Sequence, residues 1–112
     1  MANVERDLFK ATIRGFSRIV ILWLLSRKPM SGYSLSKELN NLTGWNFYSG
    51  VVYPLLYDLE KNKLVAGKWT RKGRRRIKYY SVTENGVELL NRVREIFQNP
   101  VKDVLKDLIS EA

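Results

Sequence analysis

The amino-acid sequence reads as three helical segments, two short strand-like runs about a basic turn, and a last helical segment. That order predicts a mainly α (α+β) fold: a winged helix-turn-helix with an extended N-terminal helix and a C-terminal dimerisation helix. Three observations carry it. Apolar residues recur at helical spacing over residues 4–27, 31–43 and 49–63. The β-rich runs Leu64–Trp69 and Ile77–Val82 enclose Lys72-Gly73-Arg74, where Gly73 is free to take a positive φ. Between Lys68 and Lys78 stand seven Lys or Arg and no acidic residue.

The first helix begins with a sparse apolar face, Val4, Leu8 and Phe9. From Phe16 the pattern thickens, and Ile19–Leu25 is continuously apolar, so this half is expected to be buried nearly all round. Arg6, Lys10, Arg14 and Arg18 follow i, i+4 spacing as a basic ridge, a solvated face or a phosphate-contacting one. Arg27, Lys28 and Pro29 close the helix. Ser31 is an N-cap for the second helix, whose apolar face is Leu35, Leu39 and Leu42, and Thr43-Gly44 ends it. Trp45, Asn46, Phe47 and Tyr48 form an aromatic connection. These rings plug the space under the next helix or line a pocket for a flat ligand. In the second case Trp45 and Phe47, with Trp23 or Trp69, are the candidate pocket residues.

Ser49 is placed as the cap of the third helix. Val52, Leu55, Leu56 and Leu59 are spaced to face the core, which turns Ser49, Gly50, Tyr53, Tyr57 and Lys61 outward. Pro54 lacks an N–H and conflicts with a helix interior, unless the first regular turn starts near Val51 or the helix bends. Asn62 is expected to end it. Thr83 then caps a final helix with Glu84 in its first turn and Val87, Leu90, Val93, Ile96 and Phe97 as its stripe. Asn99-Pro100 breaks that helix, and Val101, Val104, Leu105, Leu108 and Ile109 continue the stripe in a last short helix.

With 112 residues there is room for one compact unit. Residues 1–83 are expected to form a winged-helix DNA-binding domain and residues 84–112 a helical dimerisation tail on the same unit. The net charge of +9 suits an anionic partner. Sixteen of the twenty Lys and Arg, but only five of the eleven acidic side chains, fall in residues 1–83. The tail is therefore net acidic and needs a different task. The chain has neither Cys nor His, which excludes disulfides, thiolate metal sites and the usual general base. No Gly-rich phosphate loop appears and the carboxylates are scattered, so an enzyme is not expected, and neither is a cofactor or metal. The longest apolar run is too short to span a bilayer, and the N-terminus, with Glu5 and Asp7, lacks a signal-peptide pattern. A soluble, cytoplasmic protein is the expectation.

The run RGFSRIVILWLLSRKPMSGYSLSKEL, with Gly15 and the pair Gly32-Tyr33, resembles the opening of PadR-family transcriptional regulators. SGVVYPLLYDLEKNKLV, with Tyr53-Pro54 and Leu59-Glu60, looks like that family's recognition helix. RRRIKYYSVTENGVELL, with Tyr79-Tyr80, Thr83-Glu84 and Gly86, is similar to its wing exit. Together they cover roughly residues 13–91. The resemblance implies a homodimer that sets two recognition helices in successive major grooves of double-stranded DNA, with wings over the flanking backbone. It also implies repression of nearby promoters, sometimes relieved by a small aromatic effector.

On that basis the expected function is a DNA-binding repressor acting on a palindromic operator. The DNA-facing candidates are Ser31, Tyr33, Ser34 and Lys37 at the second helix and Ser49, Gly50, Tyr53, Tyr57 and Lys61 on the third. Arg71, Lys72, Arg74, Arg75, Arg76 and Lys78 complete the set on the wing. The dimerisation candidates are Val4, Leu8, Phe9, Leu90, Val93, Phe97, Val101, Val104 and Leu108, apolar positions surplus to a small winged-helix core. The outward face of the third helix lacks Arg, Gln and exposed Asn near its N-terminus. That shortage keeps an alternative in view, an architectural or RNA-associated basic module without sequence preference. A protein–protein adaptor is disfavoured by the basic wing.

Overall fold

The computed structural model describes residues 2–47 and 49–111. Tyr48, the last ring of the aromatic connection, lies outside the described residues. The elements in chain order are α1 (Ala2–Arg27), β1 (Met30–Ser31), α2 (Gly32–Thr43), α3 (Ser49–Lys61), β2 (Val65–Lys72), β3 (Arg75–Val82), α4 (Glu84–Gln98) and α5 (Val101–Ser110). The strands form one antiparallel sheet in the order β1-β3-β2.

The core forms where the apolar stripes of the first three helices converge. Ile21, Leu22, Leu24 and Leu25 of α1 meet Leu35 and Leu39 of α2 and Val52, Leu55, Leu56 and Leu59 of α3. Val65, Tyr80 and Leu90 seal it from the sheet and from α4. Ile19–Leu25 is not buried all round, as its unbroken apolar run had suggested. Trp23 and Phe16 are exposed, and Ile19 and Val20 are half-buried. The indole of Trp23 is covered on the solvent side by the Arg27 guanidinium, 5.4 Å from the ring centre. Leu42 is likewise exposed. Polar contacts hold that last turn of α2 instead: Thr43 Oγ1 donates to Leu39 O at 2.7 Å, and Gly44 N donates to Asn40 O at 2.9 Å.

Two of the three expected caps act as their chemistry requires, and Ser49 instead lies inside its helix. Ser31 Oγ accepts from Ser34 N at 3.1 Å, and Thr83 Oγ1 accepts from Gly86 N at 3.1 Å. The hydroxyl of Thr83 also donates to Lys63 O at 2.7 Å, which ties the start of α4 to the end of α3. The third helix begins at Ser49 itself and runs through Pro54 without a break. Its outer side lacks one hydrogen bond there, since Pro54 has no N–H for Gly50 O.

β1 is too short to leave a sequence signal. It is set by its partners, Met30 opposite Tyr80 and Ser31 opposite Tyr79. The hairpin arms are longer than their β-rich runs. Pairing continues through Arg71 with Arg76 and Lys72 with Arg75, so only Gly73 and Arg74 turn the chain, with Gly73 at φ 66°. The basic residues are thus strand residues, poor β-formers carried by a register that the apolar base establishes.

The end of α3 also departs from expectation. Asn62 is followed by Lys63 at φ 61°, in the left-handed region. Lys63 N donates to Glu60 O at 3.0 Å and Leu64 N to Leu59 O at 2.9 Å, the paired bonds of a Schellman ending. A side chain there costs about 1–2 kcal/mol, while glycine gives back about 0.5–1 kcal/mol in unfolded-state entropy. Lys63→Gly should therefore raise stability by roughly 0.5–1 kcal/mol. Thermal denaturation would check it, and a lower midpoint would contradict the strain.

Candidate nucleic-acid interface

One face of α3 is sunk in the core, so the opposite face is presented outward. Gly50, Tyr53, Tyr57 and Lys61 are all exposed there, with Pro54 among them. Ser49 opens the helix, but its side chain lies outside the described residues. An ion pair at the flank, Arg18 to Asp58 at 3.8 Å, links α3 to α1. It takes Arg18 out of the basic ridge and leaves Arg6, Lys10 and Arg14 exposed.

Tyr53 has two roles. It is 45% exposed, yet its ring rests on the start of α2. A Cβ at Gly32 would come within 2.6 Å of that ring, so any larger residue there would have to push the ring aside. For this DNA-facing candidate the packing contact is with α2. At the same corner Ser31 donates to Ser34 Oγ at 3.1 Å, and the Lys37 ammonium lies 5.4 Å from the Tyr33 ring centre. Tyr33 and Lys37 are exposed, while Ser31 and Ser34 are half-buried and occupied with the cap.

The wing has two unlike faces, because side chains alternate along each strand and directly paired residues share a side. Val65, Gly67, Trp69 and Arg71 of β2 lie on one side with Val82, Tyr80, Lys78 and Arg76 of β3. Val65 and Tyr80 are buried and Lys78 reaches α3, so this side faces the helix. Lys68, Lys72 and Arg75 lie on the other. Arg76 stacks over the Trp69 indole at 5.1 Å. Lys78 Nζ is 3.0 Å from Glu60 Oε1 in α3, and that hydrogen bond holds the Lys78 pKa above its ordinary value. Burial pushes the Tyr80 hydroxyl up, against the pull of Lys78. Among the described residues none of the other six wing cations pairs with a carboxylate.

An open cleft of about 900 Å³ lies between α2, α3 and the wing. It gathers Ser31, Tyr33, Ser34, Tyr53, Arg75, Arg76 and Lys78 from the expected set. Lys37, Gly50, Tyr57, Lys61, Arg71, Lys72 and Arg74 do not line it. Trp69 and Tyr79 also line it and were missed as members of this surface.

Phe47 is the plug in the aromatic connection, while Trp45 is exposed. Phe47 is 4% exposed and belongs to the core, so it is not the wall of an open pocket. Asn40 clamps its backbone, accepting from Phe47 N and donating to Phe47 O at 3.2 Å. Trp45 lies over it, 6.0 Å from the Phe47 ring and 6.5 Å from Phe16. Trp69 is on the wing, and Trp23 sits under Arg27 farther along α1.

Of the proposed dimerisation positions, Val4, Leu8, Phe9, Phe97, Val104 and Leu108 are exposed, and Val93 and Val101 are half-buried. Leu90 is 3% exposed and packs in the chain's own core, because α4 lies on α1 and the sheet over its first turns. It is not available to a partner. Among the described residues no cluster of acidic side chains could hold a metal, and no helix is long and apolar enough to cross a membrane.

A helix face beside a basic two-stranded wing matches more than a general architecture. The family model "Transcriptional regulator PadR-like family" matches residues 21–92, from the buried half of α1 into α4. The chain belongs to the PadR-like family. Transcriptional regulator YqjI of Escherichia coli is 37% identical over 83 residues, covering 72% of this chain and 39% of YqjI. The chain thus spans about two fifths of the length of the curated relatives it matches. A PadR family transcriptional regulator from Eggerthella lenta superposes with a TM-score of 0.76 at 27% identity, covering 99% of this chain and 96% of the other. Bacillus subtilis PadR, solved in complex with operator DNA, gives a TM-score of 0.62 at 26% identity over 67% of this chain and 44% of its own.

Gly32→Ala should force the Tyr53 ring aside and destabilise the fold by about 0.5–1.5 kcal/mol. In a Tyr53→Ala background the same change should cost little, because the obstructing ring is gone. Denaturant titration of the four proteins tests this, and equal costs in both backgrounds would contradict the contact.

Proposed function

We propose that the chain binds double-stranded DNA as a homodimer and represses transcription from a palindromic operator. Six unpaired cations on a hairpin beside the exposed face of α3 carry this reading. Like charges so close together repel one another, and phosphates relieve that repulsion. The operator-bound relative supports the same use of the shared fold. In this arrangement Tyr53, Tyr57 and Lys61 approach the major groove, while Arg71, Arg74 and Arg76 hold the flanking backbone or enter the minor groove. Such a regulator would work in the cytoplasm.

The exposed apolar surface supports the dimer. Residues 3–12 of α1 are exposed, with Val4, Leu8 and Phe9 among them, as are Ile96 and Phe97 of α4 and Val104, Leu108 and Ile109 of α5. Soluble monomers rarely leave so much apolar area uncovered. A two-fold partner would bury it and place two α3 helices about one DNA turn apart.

One observation favours a second reading. Among the described side chains, the outward face of α3 offers two phenols and a single ammonium, a poor set for telling bases apart. A basic module that binds any duplex would look the same there. Selection from a random duplex pool decides between them: a specific regulator should prefer its site by about a thousandfold or more.

Three outcomes are expected. Raising salt from about 50 to about 200 mM should weaken binding by roughly a thousandfold, as for six to ten phosphate contacts; a flat response in fluorescence anisotropy would remove the phosphate grip. Arg71→Ala with Arg76→Ala should cost roughly tenfold more affinity than Lys68→Ala with Lys72→Ala, because only the first pair faces α3. Equal losses would overturn that division. Phe97→Asp with Val104→Asp should yield a monomer in sedimentation and lose most DNA affinity, and a wild-type chain that is monomeric at micromolar concentration would end the two-fold model.

A further inference from the structure

Lys78 stands apart from the other wing cations. Its ammonium lies 3.0 Å from Glu60 Oε1, across an interval of eighteen residues. Both side chains are partly buried, at 26% and 35% exposed. Two aromatic faces complete its surroundings, Tyr80 with its ring centre at 5.1 Å and Trp69 at 6.0 Å. The stem reaches Glu60 by crossing the backbone of β2 at Gly67. A Cβ on that residue would collide with Lys78 Cε and come within 3.0 Å of Glu60 Oε2. Gly67 is thus the open space through which wing and helix join.

We propose that Lys78 is a positioning residue, a strut that sets the angle of the wing to α3, and not one of the wing's phosphate contacts. The proposal rests on the DNA-binding reading and assigns this cation a different task within it. Its charge is already neutralised by Glu60, so a phosphate would have to displace a carboxylate to use it. The lever is long. The turn at Arg74 lies four residues beyond Lys78, about 13 Å along the strand. A tilt of about 10° at the joint would move the tip by about 2 Å, enough to lose a hydrogen-bonded phosphate. A two-stranded hairpin has little stiffness of its own. Beyond the buried base formed by Val65 and Tyr80, the pair Glu60–Lys78 is the polar tie from wing to α3 among the described residues.

The sign of one substitution separates strut from grip. Glu60 is a negative charge beside the proposed DNA surface, so if Lys78 were a grip, Glu60→Ala would free it and tighten binding. The strut requires the opposite: Glu60→Ala, Lys78→Met and Gly67→Ala should each weaken operator binding by roughly tenfold. The double variant Glu60→Ala/Lys78→Met should be no weaker than either single one, since all break the same joint. The slope of log affinity on log salt should stay at the wild-type value in Lys78→Met, whereas a lost phosphate contact lowers it by about one per subunit. Tighter binding by Glu60→Ala, a reduced slope in Lys78→Met, or additive losses in the double variant would each overturn the strut. Should Lys78→Met fail to fold, judged by circular dichroism, the direction of the Glu60→Ala effect decides alone. A wild-type chain that binds no duplex would instead end the DNA-binding reading itself.

Discussion

The two-sidedness of α3 is the constraint from which the rest follows. Val52, Leu55, Leu56 and Leu59 enter the core as a set, each burial contributing about 1.5–3 kcal/mol. That fixes the roll of the helix about its axis and turns Tyr53, Tyr57 and Lys61 outward. It also fixes the helix end, where Leu64 N returns to Leu59 O and Val65 enters the core as the first residue of β2. The wing therefore starts from a point that the packing of α3 has chosen. The start of α4 is tied to the same point, since Thr83 N donates to Leu64 O at 3.1 Å and Thr83 Oγ1 to Lys63 O.

Charge works against this packing at one place and with it at another. Six cations concentrated on one hairpin repel one another over distances shorter than the screening length of about 8 Å at physiological salt. The hairpin tolerates them because its arms are exposed and its base is apolar. Next to that base, where partial burial makes an unpaired ammonium costlier, the cation present is the one with a carboxylate partner. The division between free and paired charge thus follows the division between solvent and interior.

Much of the fold was legible because it rests on local signals. Helical periodicity located all five helices, and Ser31, Thr83, Gly44 and Pro100 marked their limits. The parts that were not legible depend on contacts distant in sequence. β1 exists because Tyr79 and Tyr80 offer it a partner. Arg71, Lys72, Arg75 and Arg76 are strand residues because the register of Val65 with Val82 extends to the turn. The left-handed Lys63 carries no glycine to announce it. In the candidate site, the outward positions of α3 followed from its period, and the basic stretch was plain in composition. The pairing of Lys78 with Glu60, the Tyr53–Gly32 contact and the Asn40 clamp on Phe47 were hidden, since each joins residues whose separation says nothing of their meeting. Leu90 and Leu42 show the converse limit: a stripe gives the face a residue occupies but not how far the neighbouring helix extends to cover it.

The alternation of the hairpin also limits how such a wing can change in length. Trp69 and Arg71 share a side with Arg76 and Lys78 only because each arm keeps an even count from the buried base at Val65 and Tyr80. One residue inserted between Gly67 and Trp69 would carry the indole and the guanidinium of that arm to the far side, leaving Arg76 with no ring to stack on. Two residues would restore the sides and only lengthen the arm. Growth in steps of two keeps the chemistry of each side intact, whereas a single-residue insertion is accommodated at the turn or as a bulge, where parity is not transmitted to the base.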